Sequence, residues 1–245
     1  MSTLSRSSIP HGTQDVTRER SHYERLYERD GDHHFIASGY ERVHELTVKR
    51  LPPGATVIDV GCGTGQHARR FAQYGYEVTG VELAQTAVDT AHAAFERLGL
   101  RGDIRCGDVR HLPFADRHFD AAFLSLILHH FRDFELVLRE AARVAASRVF
   151  VFEPNARNPQ SYALLNVINP LLRPAFLTPN QRAVSPSRVQ RILLDSGFRL
   201  TEAHYLTVAS TTKRRGLRQW VHAAQQLLPE SVRHNKFIQV YERDV

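Results

Sequence analysis

Three glycines at alternate positions, Gly61, Gly63 and Gly65, could hold a ligand directly against the backbone. Glycine turns sharply and leaves no Cβ between the backbone and a bound molecule. The stretch before them, Val57–Val60, is rich in β-branched residues and is predicted to be a buried strand. A helix that begins near Gly65 would point free N–H groups back at the turn. The spacing therefore predicts a cradle for part of a polar ligand at the carboxyl edge of a parallel sheet.

Asp59 lies two residues before the first glycine and bears on what the turn binds. The dinucleotide fingerprint is G-x-G-x-x-G, but here the third glycine comes one residue early and Gln66 stands where the fingerprint needs it. A carboxylate beside the turn would repel a pyrophosphate, whereas it suits a ligand with a positive group such as an ammonium. These two departures favour a cationic ligand over a nicotinamide or flavin dinucleotide.

Glu82 supplies a second acid, at the end of the second predicted strand and 17 residues beyond Gly65. An acid at this place in an open α/β sheet can accept hydrogen bonds from both hydroxyls of a ribose. S-adenosylmethionine and NAD both contain such a ribose, so Glu82 supports a nucleoside without choosing between them. The alternative is a solvated acid at the start of the following helix.

The pattern D-x-G-x-G-x-G at Asp59–Gly65 resembles motif I of the class I S-adenosylmethionine-dependent methyltransferases. The sequence L-P-F-A-D-x-x-F-D at Leu112–Asp120 is also similar to that family, and L-H-H-F at Leu128–Phe131 resembles its small-molecule branch of quinone-pathway and natural-product methyltransferases. The resemblance covers roughly residues 57–199. It implies S-adenosylmethionine as the cofactor and S-adenosylhomocysteine as the product.

The resemblance also implies how the cofactor is bound. The glycine loop holds the methionine part, Asp108 bonds the adenine amine, and the backbone of Val109 meets the ring. Acids at the ends of three successive strands suit a sulfonium amino acid with a ribose and an adenine better than a phosphorylated ligand. The predicted cofactor-binding residues are Asp59, Gly61, Cys62, Gly63, Gly65, Gln66, His67, Glu82, Leu83, Asp108, Val109, Ser125 and Leu126.

The residues that assist methyl transfer are harder to identify, because a sulfonium is already a strong electrophile and the acceptor must mainly be held in line with it. A base is needed only if the acceptor loses a proton. The catalytic candidates are His129, His130 and Glu153, which follow strand ends. For each the alternative is structural: a histidine packs below the ligand, and Glu153 bonds the backbone or the cofactor's ammonium. The predicted substrate contacts are Tyr23, Tyr27, Phe35, His130, Tyr162 and Phe176, and no metal is expected.

Strand and helix patterns alternate along the chain, which predicts an α/β fold with a Rossmann-like, doubly wound sheet of seven strands, mostly parallel with an antiparallel last strand. The predicted strands begin with one from Thr56 and continue with Glu77–Leu83, Ile104–Asp108, Phe119–His129, Arg148–Glu153, Phe198–Val208 and Lys236–Arg243. The predicted helices are Gln66–Gly75, Ala84–Leu98, Phe134–Ala145, one beginning at Ser185–Ser187, and Leu217–Leu228.

The sequence predicts one methyltransferase domain over residues 21–245, preceded by a mobile arm over residues 1–20. Within the domain, residues 21–53 form an N-terminal helical lid, and residues 155–186 form an apolar insertion on the substrate side. The aliphatic content of the insertion indicates a hydrophobic or aromatic acceptor. A dimer interface is the alternative, so a homo-oligomer stays open.

Composition limits the remaining choices. The net charge is +6, but the arginines are spread along the chain and mixed with acids, which favours a solvated surface over a nucleic acid partner. Two cysteines indicate a reducing compartment rather than a disulfide framework. No apolar run approaches the ~20 residues of a membrane helix, and no secretory signal begins the sequence.

We therefore expect a cytoplasmic methyltransferase that acts by C- or O-methylation on a small hydrophobic or aromatic metabolite. Two alternatives stay open at this point. One is an RNA methyltransferase that uses the basic C-terminal cluster at Lys213–Arg218, and the other is a module that binds S-adenosylmethionine without turnover.

Overall fold

The computed structural model describes residues 20–21, 24–25, 40–172, 181–207 and 228–244. Its strands are β1 Thr56–Val60, β2 Glu77–Glu82, β3 Asp103–Cys106, β4 Phe119–Ser125, β5 Ala145–Pro154, β6 Phe198–Leu206 and β7 Lys236–Arg243. Its α-helices are α1 Tyr40–Val48, α2 Gln66–Gln73, α3 Gln85–Arg97, α4 Phe134–Val144, α5 Pro159–Tyr162, α6 Asn169–Leu172, α7 Pro186–Asp195 and α8 Glu230–Arg233. A 3-10 turn covers Leu128–His130, and a π-helix over Ala163–Ile168 joins α5 to α6.

The seven strands form one sheet in the order β3-β2-β1-β4-β5-β7-β6. Strands β1 to β5 pair in parallel, and β7 pairs antiparallel with both β5 and β6. The predicted fold class is therefore confirmed. Because β1 and β4 are the central parallel pair and run in the same direction, their carboxyl ends place the loops that follow them side by side.

Two apolar clusters, one on each face of the sheet, hold the layers together. The first packs α4 and α7 against the sheet through Leu138 and Ile192, and the second packs α1, α2 and α3 through residues that include Leu46, Phe71 and Phe95. Strand β4 is buried along nearly its whole length because it receives helices on both faces. The result is a three-layer α/β/α architecture that fixes the strand ends.

Several strand boundaries differ from the prediction. Strand β2 ends at Glu82 rather than Leu83, and β6 ends at Leu206 rather than Val208. Boundaries of β3, β4 and β5 differ as well. Strand β4 ends at Ser125 rather than His129, because Leu126 adopts a left-handed φ of 55° and turns the chain out of the sheet. Strand β3 ends at Cys106 rather than Asp108, since the Asp108 carboxylate accepts a hydrogen bond from the Arg110 N–H and forms a turn there. Strand β5 begins at Ala145, directly after α4, rather than at Arg148.

The insertion after β5 is described over residues 155–172 and 181–186. Asn158 is buried at its start, where its side-chain oxygen accepts a hydrogen bond from the Ser161 N–H. Its Nδ2 donates to the carbonyls of Val232 and Arg233, both at 3.0 Å. These bonds fasten the insertion to the segment that leads into β7. Across the described ranges, we find no helix with the length and apolar character needed to cross a membrane.

Candidate active site

The glycine turn follows β1 and is held against β2. The Gly61 N–H donates to the Val81 carbonyl at 2.8 Å, and Gly61, Gly63 and Gly65 have φ angles of 74°, 52° and 76°. These angles lie in the left-handed region that favours glycine. A Cβ on Gly61 would also lie 2.5 Å from Cδ1 of Ile127, in the loop after β4. Gly61 is therefore fixed both by its backbone angle and by the close approach of Ile127.

Cys62, within the turn, is a packing residue. Its side chain is buried, and a Cβ on Gly80 of β2 would lie 2.7 Å from its Sγ atom. Burial raises the pKa of the Cys62 thiol. The side chain thus fills the space over Gly80 in its neutral form, as a small apolar residue.

Asp59 in β1 is a buried carboxylate with an unused oxygen. Its Oδ2 atom has no hydrogen-bond partner among the described residues. Burial raises the pKa of Asp59 from 3.8 to about 7; the backbone N–H of Ala68 opposes the rise and the charge of Glu82 adds to it. Such a group gains most from a ligand that brings a positive charge or a hydrogen-bond donor.

Glu82 ends β2, as predicted, and its carboxylate bridges two loops. Oε2 accepts a hydrogen bond from the Gly63 N–H at 3.1 Å, and Oε1 accepts one from the Ala84 N–H at 2.9 Å. Burial raises the pKa of Glu82, and these N–H groups lower it in part. Glu82, at the end of β2, is therefore in direct contact with the glycine turn. A ribose bound beside the turn can reach its carboxylate.

Asp108 is partly buried beyond β3 and already has a partner. Arg110 donates to both of its carboxylate oxygens, with Nη2 to Oδ2 at 2.8 Å. Burial acts to raise the pKa of Asp108, but the hydrogen bonds and charge of Arg110 outweigh it and the net shift is downward. A ligand amine at this acid would share it with Arg110. The next residue, Val109, is buried in the core of the sheet's α4 and α7 side.

His67 forms a chain of hydrogen bonds that reaches the end of β4. Its Nε2 atom lies 2.9 Å from Oγ of Ser125, and its Nδ1 atom lies 2.6 Å from Nε2 of His44 on α1. Burial lowers the pKa of His44 to about 4 and that of His67 to about 3. Both rings are therefore neutral at pH 7. Sequence reasoning missed His44, since no pattern predicts which residue of α1 meets α2.

His129 and Glu153 are brought together at the ends of β4 and β5. Oε2 of Glu153 lies 2.8 Å from Nδ1 of His129. Oε1 accepts hydrogen bonds from the N–H groups of Ile127 and Leu128, at 2.7 and 2.6 Å. Glu153 is fully buried, and burial raises its pKa. Its contacts show a carboxylate that orients His129 and the loop after β4.

Lys236, the first residue of β7, is a charged neighbour of this pair that sequence reasoning missed. Burial lowers its pKa, and its positive charge lowers the pKa of both Glu153 and His129. The predicted strand Lys236–Arg243 has the observed bounds, but the sequence does not reveal that β7 pairs with β5. Only that pairing brings Lys236 to the site.

The remaining predicted residues are placed in part. His130 is buried beside His129, with ring centroids 3.9 Å apart, and its Nδ1 lies 3.4 Å from Nε2 of Gln181. Tyr162 on α5 is 51% exposed. Gln66 begins α2, Leu83 follows β2 and Leu126 follows β4, all at the same edge of the sheet. Tyr23, Tyr27, Phe35 and Phe176 lie outside the described residues, as do the basic cluster at Lys213–Arg218 and most of the helix predicted at Leu217–Leu228.

One further feature lies apart from this site. A groove of about 340 Å³ at the opposite edge of the sheet is lined by Asp116, Arg117, Arg139, Ala142, Arg143, Ser196 and Arg243. Within the described ranges, no three side chains of the metal-binding types converge to form a metal site.

The order of the strands, with β7 inserted antiparallel beside β5, and a glycine turn flanked by buried acids define the class of protein. This is the Rossmann-like fold of the class I S-adenosylmethionine-dependent methyltransferases. The match of residues 58–152 to a family described as a methyltransferase domain supports the assignment. Residues 58–152 thus form a methyltransferase domain of the class I S-adenosylmethionine-dependent type, and S-adenosylmethionine is the cofactor of such a domain.

Individual proteins are similar to the chain at modest identity. An O-methyltransferase, resE, from Aspergillus sclerotiorum is 28% identical over 158 residues, which cover 61% of this chain and 56% of the relative. A ubiquinone biosynthesis O-methyltransferase from Azorhizobium caulinodans is 26% identical over 163 residues, which cover 65% of this chain and 64% of the relative. The chain thus spans about three fifths of the length of these curated relatives.

Solved structures share the fold. The magnesium protoporphyrin IX methyltransferase from Synechocystis PCC 6803, solved with bound S-adenosylhomocysteine, superposes with a TM-score of 0.65 at 19% identity. The superposition covers 94% of this chain and all of that one.

The residues present fit the cofactor. The unused oxygen of Asp59 suits the ammonium of its methionine part, and the Gly61 turn keeps the space free of side-chain carbon. Glu82 offers a carboxylate for the ribose hydroxyls, and Asp108 offers one for the adenine amine. We retain these as the predicted cofactor contacts.

Proposed function

We propose that the protein transfers a methyl group to a hydroxyl oxygen of a small hydrophobic or aromatic metabolite, with His129 as general base. The observation that carries the proposal is the hydrogen bond between Nδ1 of His129 and Oε2 of Glu153. In the proposal, the ionised Glu153 accepts the proton of Nδ1, so Nε2 is the free acceptor nitrogen of a neutral ring. Among the described residues, Nε2 of His129 has no hydrogen-bond partner.

The base is needed because a hydroxyl must lose its proton as its oxygen gains the methyl group. When bound, S-adenosylmethionine supplies an electrophilic methyl group on a sulfonium and leaves as S-adenosylhomocysteine. Nε2 of His129 takes the proton of the acceptor hydroxyl, and Glu153 stabilises the resulting imidazolium. Burial, together with the charge of Lys236, lowers the pKa of His129, which keeps the ring unprotonated before the acceptor binds.

In this proposal, the insertion after β5 forms one wall of the pocket that binds the methyl acceptor. Its helical part carries exposed apolar side chains at Tyr162, Leu164, Val167, Ile168 and Leu171. Leu171 is 75% exposed, which supports a surface that gains from contact with an apolar acceptor. O-methylation rather than C-methylation is supported by the histidine–carboxylate pair and by the O-methyltransferases among the similar proteins. Free thiols at both Cys62 and Cys106 support the proposed cytoplasmic location.

The test is an assay of methyl transfer to a panel of catechols and phenols, in which the release of S-adenosylhomocysteine is measured. The His129→Gln variant should lose two to four orders of magnitude in kcat, the usual contribution of a general base. Its affinity for S-adenosylhomocysteine, measured by calorimetry, should stay within a factor of two. His118→Gln, at an exposed histidine outside the site, is the control and should keep most activity. Full turnover by His129→Gln would refute the proposal, and product formation by the wild type would exclude a binding module without turnover.

A further inference from the structure

Lys236 is set at the edge of the sheet that carries the proposed site. In the antiparallel register it lies opposite Pro154, the last residue of β5, and on its other side it pairs with Leu206, the last residue of β6. Glu153 pairs with the next residue of β7, Phe237, so the backbone of Lys236 lies beside that of Glu153 at the end of the sheet. The positive charge of Lys236 lowers the pKa of both Glu153 and His129. The mechanism proposed above gives this cation no contact with a reacting atom.

The ammonium of Lys236 has unused hydrogen-bonding capacity. In the part of the chain that the structure describes, its Nζ makes no hydrogen bond and has no carboxylate oxygen within 4.0 Å. The carboxylate of Glu153 interacts electrostatically with Lys236, but its oxygens already form hydrogen bonds with Ile127, Leu128 and His129. Among the described residues, the three N–H donors of this partly buried cation therefore have no acceptor. The acceptor that would stabilise them most is an oxyanion.

We infer that Lys236 binds a carboxylate of the methyl acceptor, so that the substrate class is a hydrophobic or aromatic hydroxy acid. This inference rests on the proposed function and deepens it. A carboxylate fits better than a phenolate because a carboxyl group is ionised at neutral pH, whereas a simple phenol is not. The hydroxyl of the acceptor is already assigned to His129. Lys236 then orients the acceptor from a second point, which holds the hydroxyl in place for transfer.

The experiment measures binding and needs no turnover. The full chain, saturated with S-adenosylhomocysteine, is titrated by calorimetry with salicylate and with salicylamide, which differ in charge but hardly in size. We expect salicylate to bind the wild type about ten-fold more tightly, the gain typical of one charge-assisted hydrogen bond. Lys236→Met and Lys236→Gln should both lose this preference and keep their affinity for S-adenosylhomocysteine. Lys236→Arg should recover part of it, and Lys49→Met, at an exposed lysine, should keep all of it.

Equal affinity of the two probes for the wild type, including no binding by either, overturns the inference. So does a preference for salicylate that survives in Lys236→Gln. A loss of S-adenosylhomocysteine affinity in the Lys236 variants would instead assign Lys236 to the cofactor's carboxylate and would also overturn it. Failure of the proposed function is a separate result, because it is read from methyl transfer by the wild type and by His129→Gln.

Discussion

The Nε2 atom of His44 lies 2.6 Å from the Nδ1 atom of His67 and thereby joins α1 to α2. Burial disfavours the charged form of both rings: it lowers the pKa of His44 to about 4 and that of His67 to about 3, against 6.5 in an unfolded chain. The unfolded state therefore binds protons first as the pH falls. This contribution to stability is complete above pH 6.5 and is lost progressively toward pH 3.

We predict that the free energy of unfolding of the wild type falls by a few kcal/mol between pH 6.5 and 4 because of this pair. The double variant His44→Gln/His67→Gln should be less stable at pH 7 by about 1 to 3 kcal/mol, since it loses a buried hydrogen bond. Its stability should then depend less on pH. Urea unfolding at several pH values measures both effects, with His111→Gln, at an exposed histidine, as the control. The prediction would be wrong if the free energy of unfolding varied with pH in the same way in the wild type and the double variant.

Cofactor binding should be linked to the ionisation of Asp59. Burial raises the pKa of this carboxyl to about 7, so the group is mostly protonated at pH 6 and mostly ionised at pH 8. A ligand ammonium favours the ionised form. We expect affinity for S-adenosylhomocysteine to rise about ten-fold from pH 6 to pH 8. Calorimetry at pH 6 in two buffers of different protonation enthalpy should show the release of about one proton.

The variant Asp59→Asn isolates this effect. It should bind S-adenosylhomocysteine weakly, and its remaining affinity should not change between pH 6 and 8. The empty protein should become more stable at pH 8, by roughly 4 kcal/mol at most, because an ionised buried carboxylate is removed. A variant that keeps the wild-type pH dependence would show that another group binds the proton.

Substitution of Gly61 should cost more than substitution of an equally left-handed glycine elsewhere. Gly54 has a φ of 73° with nothing within 4 Å of a built Cβ, whereas a Cβ on Gly61 would meet Ile127 at 2.5 Å. Gly54→Ala should lose about 1 kcal/mol from backbone strain alone. Gly61→Ala should lose about 1 to 3 kcal/mol more from overpacking. It should also bind S-adenosylhomocysteine at least ten-fold more weakly.

Urea unfolding and calorimetry measure these differences. Ile127→Ala in the Gly61→Ala background should restore part of the stability, since it removes the colliding side chain. Equal losses in Gly54→Ala and Gly61→Ala would show that the loop after β4 does not press on the glycine turn.

Asn158 should control the order of the insertion rather than the binding of the cofactor. Asn158→Ala removes a helix cap and leaves the carbonyls of Val232 and Arg233 without their donor, at a cost of about 1 to 3 kcal/mol. We expect faster hydrogen exchange over α5 and α8 and a raised KM for the acceptor. Affinity for S-adenosylhomocysteine should stay unchanged. Arg157→Ala, at the exposed neighbouring position, is the control, and unchanged exchange in Asn158→Ala would contradict the prediction.

The sequence predicts best what depends on local pattern. The β-branched run before Gly61 predicts β1, and the apolar stretch Lys236–Arg243 predicts β7 with its observed bounds. The glycine spacing and the acid at Glu82 predict a site at the strand ends because both follow strands along the chain. These features need no knowledge of distant contacts.

What depends on contacts between distant segments is not predictable from the pattern. The end of β4 is set by the left-handed backbone conformation of Leu126. The sequence does not indicate this conformation, because leucine rarely adopts it. The pairing of His44 with His67, which are 23 positions apart, depends on side-chain geometry. Lys236 reaches the site only because β7 pairs with β5, a register that the sequence of β7 does not contain.

The insertion of β7 between β5 and β6 also has a consequence for synthesis of the chain. Strand β6 is made before β7, yet β7 is its neighbour in the described sheet, so β6 leaves the ribosome without a partner. The edge of β5 stays open for the same interval. Lys236 and the residues after it must therefore emerge before either edge is covered, and a nascent chain that stalls before them would expose two unpaired edges to aggregation.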